Sequence, residues 1–136
     1  MMNFTYAKED NLEELKKRDS HISAKVLLKK IRDEEIILVN DEKGMLVGFL
    51  RFNYFWDSIP FMNMLQIVST ARRKGIGKAL VTFWESEMKK QGHNYVLTST
   101  QSDEEAQHFY RKIDYKENGS FILPNEPLEI IFGKKL

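Results

Sequence analysis

The chain has 136 residues, enough for one domain, and its 42% hydrophobic and 12% aromatic residues suffice for a buried core. Lysine and arginine total 21 against 20 acidic residues, and a net charge of +1 excludes a uniformly basic nucleic-acid coat protein. The absence of cysteine excludes disulfides, thiolate metal sites and a cysteine nucleophile. No apolar run approaches the roughly 18 residues of a membrane span, and the N-terminus lacks a signal-peptide core. We therefore expect a cytoplasmic protein with no membrane partner and a single domain over residues 1–136.

The first half of the chain is predicted to hold four strands and two helices. Asp10 and Glu13 are spaced as in a capping box, and the second helix is predicted to place Ile22, Val26 and Leu27 on its apolar face. Two apolar runs separated by the turn sequence Asp-Glu-Lys-Gly predict a hairpin. The predicted strands cover residues 3–7, 36–40, 45–55 and 61–69, and the predicted helices cover 10–18 and 20–31.

In the second half the hydrophobic period changes from two to about 3.6 at Ile76, which predicts a long amphipathic helix ending near Gly92. Ser102 and Glu105 predict a capping box for a last helix. The buried face of that helix is predicted to comprise Ala106, Phe109, Tyr110 and Ile113. Strands are predicted at 95–100, 115–122 and 127–133. The order β α α β β β α β α β β predicts a mixed α/β (α+β) fold, with a central, mostly antiparallel twisted sheet of six to seven strands flanked by about four helices.

The stretch LQIVSTARRKGIGKAL, residues 65–80, carries the strongest chemical signal. Four of its residues between positions 72 and 78 are cationic, in a protein with almost no net charge. Gly75 and Gly77 allow a tight turn and leave backbone N–H groups open to a ligand. Because a helix begins here, unpaired N–H donors and the positive end of its dipole favour a bound phosphate.

Two familiar nucleotide-binding loops do not fit this stretch. A P-loop would need glycine at position 72 and serine or threonine at position 79, where the chain has arginine and alanine. The dinucleotide fingerprint would need a third glycine at position 80, which is leucine. A nucleic-acid site is disfavoured, because one short patch on a neutral protein lacks interleaved stacking aromatics.

Arg-x-x-Gly-x-Gly at residues 72–77 closely resembles the acetyl-CoA pyrophosphate loop of the GNAT N-acetyltransferase superfamily. Residues 103–115, DEEAQHFYRKIDY, resemble that family's Asn-x-x-Ala-x-x-Phe-Tyr-x-x-x-Gly-Phe pattern, with Ala106, Phe109 and Tyr110 in register. The predicted order of elements is similar to the whole family domain. The chain departs from the family at Ala71, Asp103, Asp114 and Tyr115.

The resemblance implies acetyl-CoA as co-substrate and direct transfer of its acetyl group to an amine. Backbone amides of residues 73–78 would hold the pyrophosphate, and the preceding strand edge would bind the peptide-like pantetheine arm. An N–H near Ile67 or Val68 would stabilise the oxyanion. The implied cofactor-binding residues are Gln66, Ile67, Val68, Arg72, Arg73, Lys74, Gly75, Ile76, Gly77, Lys78 and Asp103.

Tyr110 occupies the family position of the general acid that protonates the departing CoA thiolate. Periodicity alone favours a core aromatic there, whereas the resemblance favours the acid. The general base is left open among Asp57, Glu34, Glu35, His21 and His108. The three histidines have no metal-ligand spacing, so no metal is expected.

Residues 49–61, FLRFNYFWDSIPF, hold six aromatics and are candidates for acceptor binding. Tyr54, Trp56 and Asp57 could hold a cationic or aromatic amine; the alternative is a hairpin that covers the core. The leading hypothesis is an acetyl-CoA-dependent N-acetyltransferase acting on the primary amine of a small molecule or peptide. The alternatives are acetylation of protein N-termini or lysines, and a non-catalytic CoA-binding module. A homodimer is left open.

Overall fold

The computed structural model describes residues 1–136 and holds seven strands and four helices. The strands are β1 (Asn3–Tyr6), β2 (Ile36–Asn40), β3 (Leu46–Phe55), β4 (Ile59–Ile67), β5 (Tyr95–Gln101), β6 (Lys116–Phe121) and β7 (Glu129–Lys135). The helices are α1 (Leu12–Arg18), α2 (Ala24–Arg32), α3 (Ile76–Lys90) and α4 (Ala106–Lys112), with short 3₁₀ turns at Glu9–Asn11 and Ser69–Ala71. The predicted order of strands and helices is confirmed.

The strands form one sheet in the order β1-β2-β3-β4-β5-β7-β6. The pairs β1–β2, β2–β3, β5–β7 and β6–β7 are antiparallel, whereas β4 and β5 are parallel and paired at Phe61↔Leu97 and Met62↔Thr98. Because parallel neighbours need a crossover connection, the chain between them runs through α3. The prediction of a mixed α/β fold with a mostly antiparallel sheet is confirmed.

The predicted helix starts are wrong at both capping boxes. Before α1, the backbone N–H of Lys8 donates to Oδ1 of Asn11, and a 3₁₀ turn precedes the α-helix. Ser102 does not cap α4, since the N-cap is Glu105, three residues later, and makes no side-chain cap bond. The Ser102 N–H, which a capping box would pair with Glu105, donates instead to the Leu128 carbonyl. Two predictions of burial also fail, since the side chains of Val26 and Ala106 are exposed.

The chain folds into two compact units, residues 1–52 with 64–83, and residues 53–63 with 84–136. The core of the first unit consists of apolar side chains from α1, α2, β2 and β3, joined by Ala7. These are Ala7, Leu15, Leu27, Ile31, Ile36, Leu38 and Phe49, with Ile22 and Met64 packed at the margin. The organisation as a single domain stays a prediction.

Aromatic side chains dominate the core of the second unit. Trp84, Tyr115 and Phe132 are fully buried. The Tyr115 hydroxyl donates to Glu85 Oε2 at 2.7 Å, and the same carboxylate accepts from Lys134 Nζ at 3.1 Å. Burial and the neighbouring Glu85 carboxylate raise the pKa of the Tyr115 phenol far above its ordinary value.

A buried ion pair links the loop between α1 and α2 to β3 within the first unit. Arg51 Nε donates to Asp19 Oδ2 at 2.6 Å, and the two side chains are 7% and 0% exposed. Burial alone would raise the pKa of the Asp19 carboxyl, and the hydrogen bond and charge of Arg51 outweigh it, so the pKa lies below its ordinary value. Asp19 is therefore charged, and its negative charge is compensated in the buried site by Arg51.

Replacing Arg51 by methionine is expected to lower the free energy of unfolding by about 3–5 kcal/mol, because the apolar stem is kept while Asp19 loses its buried partner. The matched control is Arg32→Met, which removes an exposed arginine paired with Glu9; we expect at most about 1 kcal/mol there. Urea denaturation measures the free energy of unfolding of both variants and of the wild type. Equal losses in the two variants would contradict the role assigned to the buried pair.

Candidate active site

The loop between β4 and α3 has the backbone conformation that the glycines predict. Gly75 has a φ of +77° and Arg73 a φ of +64°, so two of three consecutive residues are left-handed. A Cβ added to Gly75 would meet no atom within 4 Å. Glycine is therefore favoured at position 75 by the backbone angle rather than by a lack of space.

Backbone donors and cationic side chains are concentrated at the start of α3. The Ala79 N–H donates to the Gly75 carbonyl at 3.0 Å, so the N–H groups of residues 76–78 precede the first bond of the helix. The side chains of Arg72, Arg73, Lys74 and Lys78 are exposed and have no carboxylate partner. The loop is therefore an uncompensated positive surface suited to phosphate.

The end of β4 offers fewer free backbone groups than the sequence suggested. The Val68 N–H donates to the Val47 carbonyl at 2.9 Å, and the Ile67 carbonyl accepts from Arg72 Nε at 3.0 Å. Because neighbouring residues of a strand point their N–H groups to opposite edges, the Ile67 N–H points away from β3. Of the predicted strand residues Gln66, Ile67 and Val68, Ile67 is thus the one whose N–H faces the other edge.

Tyr110 is buried, only 6% exposed, in the aromatic core of the second unit. Its ring centroid lies 5.6 Å from that of Tyr115 and 6.4 Å from that of Phe132, and its hydroxyl hydrogen-bonds to Thr98. Burial raises the pKa of the phenol to about 12, although the bond to Thr98 acts in the opposite direction. The phenol is therefore protonated at neutral pH, as a general acid requires, and it is also part of the core.

The candidate bases differ in how they are held. His21 Nδ1 lies 3.4 Å from Oδ1 of the buried Asp19, which also accepts from the His21 backbone N–H at 3.2 Å. Glu35 is paired with Lys30 at 3.0 Å, and His108 lies 3.9 Å from Glu105 on the surface. Of these three side chains, His21 is therefore the one held by two contacts to a buried carboxylate, and the identity of the general base stays a prediction. Asp103 is exposed, and its cofactor contact stays a prediction.

The predicted acceptor segment forms the two-residue turn Trp56-Asp57 between β3 and β4, closed by the Ser58 N–H donating to the Phe55 carbonyl at 3.1 Å. Trp56 and Asp57 have φ values of +54° and +59°. Such a turn prefers Asn-Gly, and a bulky residue at positive φ costs on the order of 1–3 kcal/mol. The turn is therefore strained at a tryptophan that is 79% exposed.

A surface cavity of about 700 Å³ lies beside this turn in the second unit. It is lined by Asn53, Tyr54, Phe55, Trp56, Ile59, Phe61, Asn63, Tyr95, Leu97, Asn118, Phe121 and Ile131. Tyr54 and Trp56 are thus brought together, whereas Asp57 is outside the lining. Tyr110 contacts Thr98 and Phe132, which alternate with the cavity residues Leu97 and Ile131 and therefore face the other side of their strands.

No group of three or more histidine, cysteine, aspartate or glutamate side chains is placed to hold a metal ion. None of the helices combines the length and the apolar composition that crossing a membrane requires.

The parallel β4–β5 crossover and the helix α3 that follows the cationic loop define a mixed α/β fold. Residues 32–117 match the acetyltransferase (GNAT) domain family, so the chain belongs to this family. The resemblance noted in the sequence is thereby confirmed, and the family is one of acyltransferases.

Solved structures show the same fold over nearly the whole chain. A GNAT-family acetyltransferase from Bacillus cereus superposes with a TM-score of 0.79 at 23% identity, covering 99% of this chain and 97% of that one. The PaiA N-acetyltransferase of Thermoplasma acidophilum, in complex with coenzyme A, gives 0.82 at 17% identity, covering 100% and 99%. Naa50 of Arabidopsis thaliana, in complex with the bisubstrate analogue CoA-Ac-MVNAL, gives 0.79 at 17% identity, covering 99% of each. No curated protein matches the sequence.

Proposed function

We propose that this protein transfers the acetyl group of acetyl-CoA to a primary amine of a small molecule or peptide. The loop of residues 72–78 is the observation that carries the proposal. It combines left-handed backbone at Gly75, helix-start amides and four cationic side chains without carboxylate partners. These groups suit a pyrophosphate, and the similar PaiA protein is bound to coenzyme A.

The reaction needs a nucleophile, a place for the developing negative charge and a proton for the leaving group. The neutral amine attacks the thioester carbonyl carbon, so a C–N bond forms and the C–S bond breaks. The Ile67 N–H, which points away from β3, is the backbone donor for the charge on the carbonyl oxygen. Tyr110 gives its phenolic proton to the departing thiolate, and the proton of the amine passes to a base, for which His21 is the best-held candidate.

A protein N-terminus or lysine as acceptor is the second candidate. The similar Naa50 binds an analogue that joins CoA to a short peptide. A third candidate is a CoA-binding module without activity. The protonated Tyr110 at the acid position supports a catalytic role over this third candidate.

The proposal is tested with the purified protein, acetyl-CoA and a panel of aliphatic amines, aromatic amines and short peptides. The measurement is release of free CoA thiol, with the acetylated product identified by mass. Release with small amines or peptides supports the proposal, and acetylation of intact proteins alone would support the second candidate. Binding of acetyl-CoA without turnover of any amine would support the third candidate, a CoA-binding module without activity.

Asp57 gives a specific prediction about the acceptor. Asp57 precedes β4 and lies ten residues before Ile67, about 30 Å of extended strand, so only a peptide acceptor is long enough to reach both. With such a peptide, Asp57→Asn is expected to raise the KM for a cationic acceptor about tenfold, because it removes one attractive charge, while the KM for acetyl-CoA is unchanged. The fold should be kept, since asparagine tolerates the φ of +59° at this position. Glu42→Gln, at the exposed turn between β2 and β3, is the control and should leave both constants unchanged. Identical kinetics of wild type and Asp57→Asn across the pH range would reduce Asp57 to an ordinary turn residue.

A further inference from the structure

The cavity beside the Trp56-Asp57 turn, named here the Trp56 cavity, has an aromatic wall. The Phe55 ring lies 4.8 Å from Trp56 and 6.5 Å from Phe61, measured between centroids. Phe121 of β6 also lines the cavity and is partly exposed. Planar apolar groups stack favourably on such surfaces, and a volume of about 700 Å³ is typical of small-molecule sites.

The polar groups of the Trp56 cavity are all neutral. Asn63 Nδ2 donates to Asn53 Oδ1 at 2.8 Å, which leaves the amide nitrogen of Asn53 and the amide oxygen of Asn63 with further bonding capacity. Asn118 bonds to the Tyr95 hydroxyl. No charged side chain lines the cavity. A charged ligand would therefore lose its hydration without gaining a counter-ion.

Trp56 is costly for stability in two ways. Its backbone is left-handed, where asparagine or glycine is preferred, and its large indole is 79% exposed at the rim of the cavity. Strained residues concentrate where a ligand is held. The stability of the turn therefore does not explain the choice of tryptophan at this position.

We propose that the Trp56 cavity binds a small, uncharged aromatic molecule with a hydrogen-bonding substituent, at a site separate from the one where Tyr110 acts. The aromatic wall takes the ring, and the Asn53–Asn63 pair takes the substituent. The two sites are separate because side chains that alternate along β5 and β7 face opposite sides of the sheet. Leu97 and Ile131 face the cavity, whereas Thr98 and Phe132 face Tyr110. The site thus goes beyond the proposed acetyl transfer and does not depend on it.

The test compares two fluorescent probes with nearly the same ring system, N-phenyl-1-naphthylamine and 1-anilinonaphthalene-8-sulfonate, in the absence of acetyl-CoA. The neutral amine is expected to bind one molecule per chain, about tenfold or more tighter than the sulfonate, because the lining holds no cation. In NMR spectra the side-chain amide signals of Asn53 and Asn63 should shift with the neutral probe. Preference for the sulfonate, or no shift of these amides, would overturn the proposal.

A variant pair separates this site from general surface stickiness. Trp56→Asn is expected to weaken the neutral probe about tenfold or more while the melting temperature rises by about 3 °C, because asparagine suits the left-handed turn. Ile122→Asn removes an exposed apolar side chain next to Phe121 that does not line the cavity, so it should not change probe binding. Equal weakening in both variants would contradict the proposal.

A second copy of the chain is the competing occupant. Analytical ultracentrifugation across a range of protein concentrations distinguishes a dimer that fills the cavity from a monomer that binds the probe. A monomer at every concentration at which the probe binds is expected. A dimer that Trp56→Asn abolishes would show that the cavity is filled by another protomer, which overturns the small-molecule proposal.

Discussion

Gly77→Val is expected to abolish acetyl-CoA binding in a protein that remains folded. Gly77 is the second residue of α3, among the N–H groups that precede the first helical hydrogen bond at Ala79. A β-branched side chain there would stand where a phosphate must approach those amides. Valine has a higher helix propensity than glycine, so the helix itself should not suffer. Titration calorimetry measures the loss of binding, and circular dichroism measures the retained fold.

Ala79→Val is the matched control for this prediction. Ala79 is exposed in the same first turn and lies about 200° around the helix axis from Gly77. The same side chain is added away from the loop, so acetyl-CoA binding should be unchanged. If Gly77→Val folded and bound acetyl-CoA as tightly as wild type, residues 72–78 would not be the pyrophosphate site.

The sequence correctly predicted those helices and strands whose signals lie in the hydrophobic pattern and turn residues of a short stretch of chain. The apolar run IILVN matches β2, and the shift to a 3.6-residue period marks the start of α3 at Ile76. The predicted cap at Gly92 is consistent with its φ of +95°. In each case the signal lies within a few neighbouring residues, so no knowledge of tertiary contacts is needed.

The helix starts that were predicted wrongly depend on partners outside the local sequence. Ser102 has the identity of a cap, yet the distant Leu128 carbonyl takes its N–H. Val26 fits an apolar stripe, although α2 buries Leu27 and Ile31 instead. Tertiary contacts decided these positions, and a spacing rule contains no information about them.

Two features of the structure depend on residues that are distant in the sequence. Asp19 and Arg51 are 32 positions apart and read as surface charges, while the fold buries them as a pair. The Trp56 cavity needs residues from β3, β4, β5, β6 and β7 at one place. The sequence did contain one signal for the cavity, a tryptophan in a two-residue hairpin turn that normally takes asparagine or glycine.

Tyr110→Phe is expected to lower kcat by about 10²–10⁴-fold, the usual effect of removing a positioned general acid. Phenylalanine keeps the ring contacts with Tyr115 and Phe132. It loses only the hydrogen bond to Thr98, so the free energy of unfolding should fall by about 1 kcal/mol. Steady-state kinetics with one confirmed amine, together with urea denaturation, separates the two effects.

The pKa of about 12 for the Tyr110 phenol also fixes the pH dependence of this step. An acid acts only while protonated, so its contribution is lost as the pH rises through its pKa. Wild-type kcat should therefore show no loss from this group between about pH 6 and 10. If kcat instead fell as the pH was raised just above neutral, the proton donor would be another residue with a lower pKa.

Tyr115→Phe is the control that distinguishes acid catalysis from packing. Tyr115 is buried beside Tyr110 and also donates a hydrogen bond, to Glu85 at 2.7 Å. Its removal is expected to destabilise the protein by about 1–3 kcal/mol, because the Glu85 carboxylate loses a partner, and to leave kcat near the wild-type value. A large loss of kcat confined to Tyr110→Phe assigns the proton donor to that hydroxyl. Turnover by Tyr110→Phe at the wild-type rate would leave Tyr110 with a packing role alone.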